Sequence, residues 1–335
     1  LFSVVLEPTH DLARQTYRQL VKFSHGLNIS CGLLGDENSS ENPEILVSTP
    51  NRLIFSLSSM ELKYLRWLVV DESDRLFDNS EGMEKSFRSQ LATIYRAVSS
   101  CKWLHKAFFS ATFSYEMEKW CEENLEDVAM LCIGERNSAS ASVEQKLVFT
   151  GSEAGKVVAL RELLNTAFTP PALLFVQSKE RAQQVMNIIS TQLSSQVPAS
   201  LICSQRSPAE RASVLSALRD GRLWLLVCTD LVGRGLDLAT VNLVVNFDLP
   251  TSIISYIHRI GRAGRAGRRG QALTFFTESD LSIVRPIAVV IQQAGFPVPE
   301  YTLALKPPSK LALEYIMNIY PPHSVASSIH METNR

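Results

Sequence analysis

Asp71-Glu72-Ser73-Asp74 sets three carboxylates directly behind the apolar run Trp67 to Val70. A run of that length reads as a short core strand, apolar on both faces as parallel strands are. Acids at the carboxyl end of such a strand stand where open α/β sheets bind ligands. Adjacent acids there suit phosphate chemistry. Asp71 can hold a Mg²⁺ through oxygen or water, and Glu72 can orient and deprotonate an attacking water. A solvated acidic loop explains the same four residues equally well, so the rest of the chain must decide.

A basic cluster lies far downstream: His258-Arg259-Ile260-Gly261-Arg262-Ala263-Gly264-Arg265, extended by Arg268 and Arg269. A helix starting near Ser252 would carry Arg262 and Arg265 on one face, as a fork for the terminal group of a triphosphate. The competing reading is a solvated basic run, or a nuclear-import or RNA-binding patch. Pro8-Thr9-His10-Asp11 and Thr49-Pro50-Asn51-Arg52 each place a hydroxyl where a strand turns into a helix. Exposed N–H groups at such a start attract phosphate. Each alone reads as helix capping; the pair suggests a track for a phosphodiester backbone. Ser110-Ala111-Thr112 offers two hydroxyls that can reach a neighbouring carboxylate, or merely cap a turn. The stretch Thr229 to Asp237 joins glycines that allow close backbone approach to Arg234 and Asp237, with a solvated turn as the alternative.

A phosphate loop of the form Gly-x-x-x-x-Gly-Lys-Ser/Thr is absent. Gly151-Ser152-Glu153-Ala154-Gly155-Lys156 is one residue short and continues with Val157 instead of a hydroxyl, so it reads as a helix start. No Gly-x-Gly-x-x-Gly follows a strand, which counts against a nicotinamide enzyme. There is no initiator Met, and Ser3 to Leu6 already reads as a strand. The chain is therefore expected to open inside a folded unit, as a fragment or shortened form, and without a phosphate loop to hold ATP weakly.

Positioning these groups requires strands alternating with helices. Strands are predicted at Val4–Leu6, Ile45–Ser48, Leu68–Val70, Ala107–Phe109 and Val128–Ile133. Others follow at Lys146–Phe149, Leu173–Val176, Leu201–Cys203, Leu225–Cys228, Leu243–Phe247 and Ala272–Phe276. Helices are predicted at Asp11–Phe23, Tyr115–Asn124, Gly155–Asn165, Lys179–Gln192 and Pro208–Arg219. The last has Ser207 as N-cap, Pro208 at its first position and Gly221 just past its end. Such alternation argues for an α/β fold with parallel sheets covered by helices on both faces. The small, polar stretch Gly134 to Ser142 reads as a linker. The expected division is a first lobe at 1–134, a linker at 135–144, a second lobe at 145–300 and a peripheral tail at 301–335.

Composition agrees. The chain has 335 residues, 45% of them hydrophobic. Single cores stop growing near roughly 250–300 residues, so two domains are expected. A formal net charge of -1 means that any polyanion site is a local patch. No run approaches the roughly 18 apolar residues of a membrane span. None of the six cysteines forms a Cys-x-x-Cys pair. Cys132, Cys203 and Cys228 lie in or beside apolar strands as reduced core thiols, which suggests a reducing compartment.

Pro-Thr-x-x-Leu-Ala, Thr-Pro-x-Arg, Asp-Glu-x-Asp, Ser-Ala-Thr, Gly-Arg-Gly-x-Asp and His-Arg-Ile-Gly-Arg-x-x-Arg occur in that order over nearly the whole chain. The set resembles the DEAD-box ATP-dependent RNA helicases. The resemblance implies two RecA-like lobes on a flexible linker, closing over ATP and single-stranded RNA. The first lobe would be N-terminally incomplete, since the family's phosphate loop and adenine-reading segment should precede Leu1. It further implies Asp71 as Mg²⁺ ligand, Glu72 as activator of water, Arg262 and Arg265 at the γ-phosphate, and Asp237 at the ribose. Ser110, Thr112 and His258 resemble the layer that couples hydrolysis to closure. Thr9, Thr49, Arg52, Gln177, Arg211 and Thr229 resemble RNA-backbone contacts.

Implied cofactors are ATP and Mg²⁺. Implied partners are single-stranded or short duplex RNA and protein cofactors, around a monomer away from membranes. Departures are Ser73 in the acidic motif, His10 where the family usually has Arg, Pro208 where Gln is usual, and Gly233 for Ala. Asp71-Glu72-Ser73-Asp74, Tyr115 to Cys121, Val176-Gln177-Ser178 and Arg136-Asn137-Ser138-Ala139 resemble the nucleolar branch acting in small-subunit ribosomal RNA processing. That branch implies a nuclear, nucleolar location. The rival readings are a non-catalytic RNA-binding product and a structural α/β protein with a basic tail; the latter leaves the ordered motifs unexplained.

Overall fold

The structure is a computed structural model. It describes residues 1–305 except 37, 38, 41, 78–86, 114, 134–140, 194–196, 203–205, 231–240 and 265–268. Two sheets organise it. The first has the order β2 (Cys31–Leu33), β3 (Ile45–Ser48), β1 (Ser3–Leu6), β4 (Trp67–Val70), β5 (His105–Phe108). The second has the order β6 (Val143–Gly151), β11 (Gly270–Thr277), β10 (Leu243–Asn246), β7 (Ala172–Phe175), β9 (Leu225–Cys228), β8 (Ala199–Leu201). Every pairing is parallel. The carboxyl ends of the strands therefore share one edge of each sheet, and the loops that follow them cluster there.

The apolar runs form these strands because both faces are covered. β7, β9 and β10 are buried at every residue. Successive side chains feed opposite cores, as the strand period of two requires. Leu173 and Phe175 pack with Leu226, Val244 and Phe276, whereas Ala172 and Leu174 pack with Val227, Val245 and Phe275. In the first sheet Val4, Leu6, Leu46, Leu68 and Val70 share one core, and Val47 and Leu33 meet Ala13 on the other face. Helices α1 (His10–Phe23), α2 (Pro50–Ser56), α3 (Phe87–Val98) and α4 (Tyr115–Asn124) accompany the first sheet. With the second come α5 (Glu153–Thr166), α6 (Lys179–Ile188), α7 (Pro208–Arg219), α8 (Ile253–Ile260), α9 (Leu281–Gln293) and α10 (Glu300–Ala304).

Several expectations need correction. Val128–Ile133 forms no strand; Leu131 is 86% exposed and Ile133 93%. The residues favour a strand, but a strand also needs a neighbouring strand to pair with, and the segment joins neither of the two sheets. Cys132 is accordingly exposed, not a core thiol. Cys203 lies outside the described residues.

The helix that starts after Ser252 stops at Ile260, short of Arg262. Gly261 weakens its end, and the chain then peels away. The Val241 N–H donates to the Arg262 carbonyl at 3.3 Å, and Ala263 bridges to Val241. β6 takes in Val143 and Glu144, which the composition gave to the linker. The start of the tail is docked: Thr302 is buried, and Arg285 Nε donates to the Leu303 carbonyl at 3.0 Å. The helix-like run expected at Lys310–Ile319 lies outside the described residues.

Candidate active site

Asp71 follows β4, and its N–H donates to the Leu6 carbonyl at 3.0 Å, extending the β1–β4 ladder by one bond. Glu72 then turns into the left-handed region, at φ 46°. For a non-glycine residue that costs of order 1–3 kcal/mol and persists only where neighbours enforce it. Here the Glu72 N–H donates to Asp71 Oδ1 at 2.8 Å, and the Glu72 carbonyl accepts from the Arg75 N–H at 3.1 Å. Ser73 is fully buried; its N–H and Oγ both donate to the Phe109 carbonyl at 3.0 Å, tying the turn to the end of β5. Ser110 Oγ donates to Asp74 Oδ1 at 3.0 Å, so the hydroxyl stretch does meet a carboxylate. Thr112 is buried close by, with its Oγ1 lacking a hydrogen-bond partner.

The facing group comes from α8. His258 Nε2 is hydrogen-bonded to Asp74 Oδ2 at 2.8 Å, and its Nδ1 lies 3.8 Å from Glu72 Oε2. This contact joins the acid turn of the first sheet to a helix of the second. Arg259, which the motif reading left without a role, holds that helix down. Its guanidinium grips Asp230 through Nε at 2.6 Å and Nη2 at 2.9 Å, and donates to the Asp248 carbonyl at 2.8 Å. It also lies over the Phe175 ring. A cation buried this deeply is tolerable only when bidentately paired; here the pairing fixes the register that aims His258 at Asp74.

Burial raises the Glu72 carboxyl, opposed by His258 and Arg262 and assisted by Asp74 and Asp71. Burial likewise raises Asp71, partly offset by the Glu72 N–H. Glu7, which the sequence reading passed over, is a fourth acid at this edge. It is 1% exposed, accepts from Thr16 Oγ1 at 2.5 Å and leaves Oε2 buried without a partner. Desolvation, with help from Asp71 and Glu72, pushes its pKa up to about 7. The signal was available: Leu6-Glu7 is an acid behind an apolar strand, as Val70-Asp71 is. This crowd of hard oxygen donors fits a divalent cation such as Mg²⁺, whose charge would offset their repulsion. One ligand atom each from Glu72, Asp74 and His258 also lies within 4.8 Å of the others; Asp71 is not in that trio.

A second group lines the helix starts. Thr9 caps α1, its hydroxyl accepting from the Leu12 N–H at 3.3 Å. Thr49 precedes α2 but makes no side-chain cap bond. Arg52 donates to the Leu34 carbonyl at 3.0 Å. Arg211, on α7 of the second sheet, pairs with Asp11 across the two halves at 3.2 Å. Burial, then Arg52, Arg14 and Arg211, hold the His10 imidazole below its usual range, with Asp11 opposing. Hydroxyls and guanidiniums from three helices thus converge on the first turn of α1.

Residues 2–120 match the DEAD/DEAH box helicase family, and residues 155–267 match the helicase conserved C-terminal domain. The chain belongs to the DEAD-box helicase family. It is 46% identical over 312 residues to the probable ATP-dependent RNA helicase DDX52 of Mus musculus, an alignment covering 89% of this chain and 51% of that one. It is 36% identical over 305 residues to the ATP-dependent RNA helicase ROK1 of Lodderomyces elongisporus, covering 88% and 53%. The chain thus spans about half the length of these relatives. Among solved structures, an S. cerevisiae Dbp5 variant bound to RNA and ADP BeF3 superposes with a TM-score of 0.76 at 25% identity, covering 89% of this chain and 77% of that one. The two α/β lobes are therefore RecA-like, matching those of DEAD-box helicase structures.

In this DEAD-box chain Arg262 is buried close enough to Glu72 to favour its ionised form. Arg265 and Asp237 lie outside the described residues. Gln177 is exposed at the end of β7, with its N–H donating to Asp248 Oδ2 at 3.2 Å; Thr229 is half-buried at the end of β9. Lys156 is a buried partner of Asp248 at 3.2 Å, and Ser152 caps its helix, so that stretch is a helix start as read.

Glu7 gives a pH prediction. Its folded pKa lies above the unfolded value of 4.5, so folding favours the protonated form. The stability it contributes is present below that value and is lost as pH rises through about 7. Glu7→Gln removes the charge, so it is expected to stabilise the protein by roughly 2–3 kcal/mol at pH 8.5 and to change little at pH 4.5. Denaturant unfolding of both proteins at both pH values measures this. Equal effects at the two would show that Glu7 does not titrate in the folded state.

Proposed function

We propose that the protein is an ATP-dependent RNA helicase that couples RNA-stimulated ATP hydrolysis to local unwinding or remodelling, and that it acts on pre-ribosomal RNA in the nucleolus. The observation that carries the catalytic part is the His258–Asp74 hydrogen bond, which docks the basic motif of one lobe onto the acid turn of the other. The names borne by the DDX52 and ROK1 relatives agree with it. The ribosomal part rests on the resemblance of the acid turn and the stretches after it to the nucleolar branch.

In this reading Glu72 accepts the proton of the attacking water, and its strained backbone fixes where the carboxylate stands. Asp71 would hold Mg²⁺, which when bound neutralises charge developing on the phosphates. Arg262 and Arg265 reach the terminal phosphate from the second lobe, and Asp237 meets the ribose. Both lobes are then needed for turnover, and Ser110, Asp74 and His258 report closure to the acid turn. Thr112 belongs to the same layer. Thr9, Thr49, Arg52, Gln177, Arg211 and Thr229 hold the RNA backbone, and the protein works as a monomer.

The test is ATP turnover and strand separation by the full-length protein, assayed with any residues that precede Leu1 in place. RNA should accelerate turnover, and a short RNA duplex should separate only with ATP; absence of RNA stimulation would refute the helicase reading. The backbone track gives a separate expectation. Arg52→Ala should weaken binding of unrelated single-stranded RNAs alike, by roughly three- to tenfold at low salt and less at high salt, because phosphate contacts release counterions. Loss for one sequence with others spared would mean that Arg52 reads a base.

A further inference from the structure

We infer that Arg14 is an RNA-phosphate contact of the first lobe, standing in for the arginine that position 10 does not carry. The inference rests on the RNA-binding reading above and adds a residue that none of the motif assignments includes. His10 opens α1 where the family usually supplies a fixed cation. Burial and three neighbouring guanidiniums lower the pKa of that imidazole from its ordinary value, with Asp11 opposing. The first turn of α1 therefore carries an imidazole in place of a fixed cation, although the helix starts around it otherwise suit a phosphate track.

Arg14 lies four residues on, so it shares a helix face with position 10, about 6 Å further along the axis. It is one of the guanidiniums whose field reaches His10, together with Arg52 of α2 and Arg211 of α7. The Arg211–Asp11 pair fixes that second-lobe guanidinium at the first turn of α1. Arg14 Nε is buried without a hydrogen-bond partner, and so is Arg211 Nε. Donors held away from water without an acceptor are costly. Asp11 meets Arg211 through Nη2 alone, so two Nε donors, on guanidiniums that act on the same imidazole from opposite lobes, remain without an acceptor. A phosphate oxygen supplies one, and guanidinium is the side chain best shaped to meet it.

The experiment measures affinity of the full-length protein for a single-stranded oligouridylate, with a non-hydrolysable ATP analogue present, at two salt concentrations. The proteins are wild type, Arg14→Gln, Arg14→Lys and the double variant His10→Arg/Arg14→Gln, each checked for an unchanged melting temperature. Arg14→Gln should weaken binding roughly fivefold at low salt and lower the slope of log affinity against log salt by about 0.7, the value for one phosphate on a single strand. Arg14→Lys should keep most of the affinity, and the double variant should recover it, because the cation returns one turn earlier. If wild type binds and Arg14→Gln binds equally well at both salts, the inference is wrong. A loss that leaves the salt slope unchanged and is not recovered by the double variant also overturns it, by making Arg14 structural. Failure of wild type to bind RNA would instead refute the function on which the inference rests.

Discussion

Glu72→Gln in the full-length protein is expected to keep nucleotide binding and to lower RNA-stimulated ATP turnover by about 10²- to 10⁴-fold. Glutamine preserves the size of the side chain and its hydrogen bonding but cannot take a proton from water. Burial raises the pKa of the Glu72 carboxyl above its ordinary value, the direction that makes a carboxylate a stronger base. His258 and Arg262 oppose that rise by favouring the ionised form. Steady-state turnover and nucleotide affinity, measured on the same preparation, separate the two effects. Turnover within tenfold of wild type would remove Glu72 from the role of base.

Arg262→Ala should lower turnover by roughly 10³-fold or more, the scale of a guanidinium that stabilises charge on a transferring phosphoryl group. The side chain reaches this position because α8 ends at Ile260 and the backbone turns to bridge Val241. Arg262 is 6% exposed and comes from the lobe opposite Glu72, so its contribution should require both lobes. Arg262→Lys should recover little, since an ammonium lacks the planar fork. Single-turnover hydrolysis at saturating ATP and RNA tests this, with binding of nucleotide-free protein to RNA as the control. A turnover loss of only a few-fold would mean that Arg262 serves to pack the lobe and does not act on phosphate.

The two largest effects involve residues that the sequence already marked, and the reason is local. An apolar run ending in acids identifies a buried parallel strand and the edge where ligands bind. Trp67 to Val70 does so without reference to anything distant, as do the uninterrupted apolar strands of the second sheet. Caps are equally local: Thr9, and Ser207 with Glu210, lie within three residues of the groups they satisfy.

Other features depend on partners remote in the chain. Val128–Ile133 has the composition of a strand but joins neither of the two sheets. α8 stops short because Val241 takes the Arg262 carbonyl. Glu7 carried the same local signal as Asp71, yet only the fold shows it sealed beside Asp71 and Glu72, where desolvation raises its pKa to about 7. The His258–Asp74 and Arg211–Asp11 contacts span most of the chain and exist only once the two sheets face each other. Side-chain type and spacing determine which groups can do chemistry; desolvation, charge and contact across the lobes arise only when tertiary packing brings distant groups within a few ångströms.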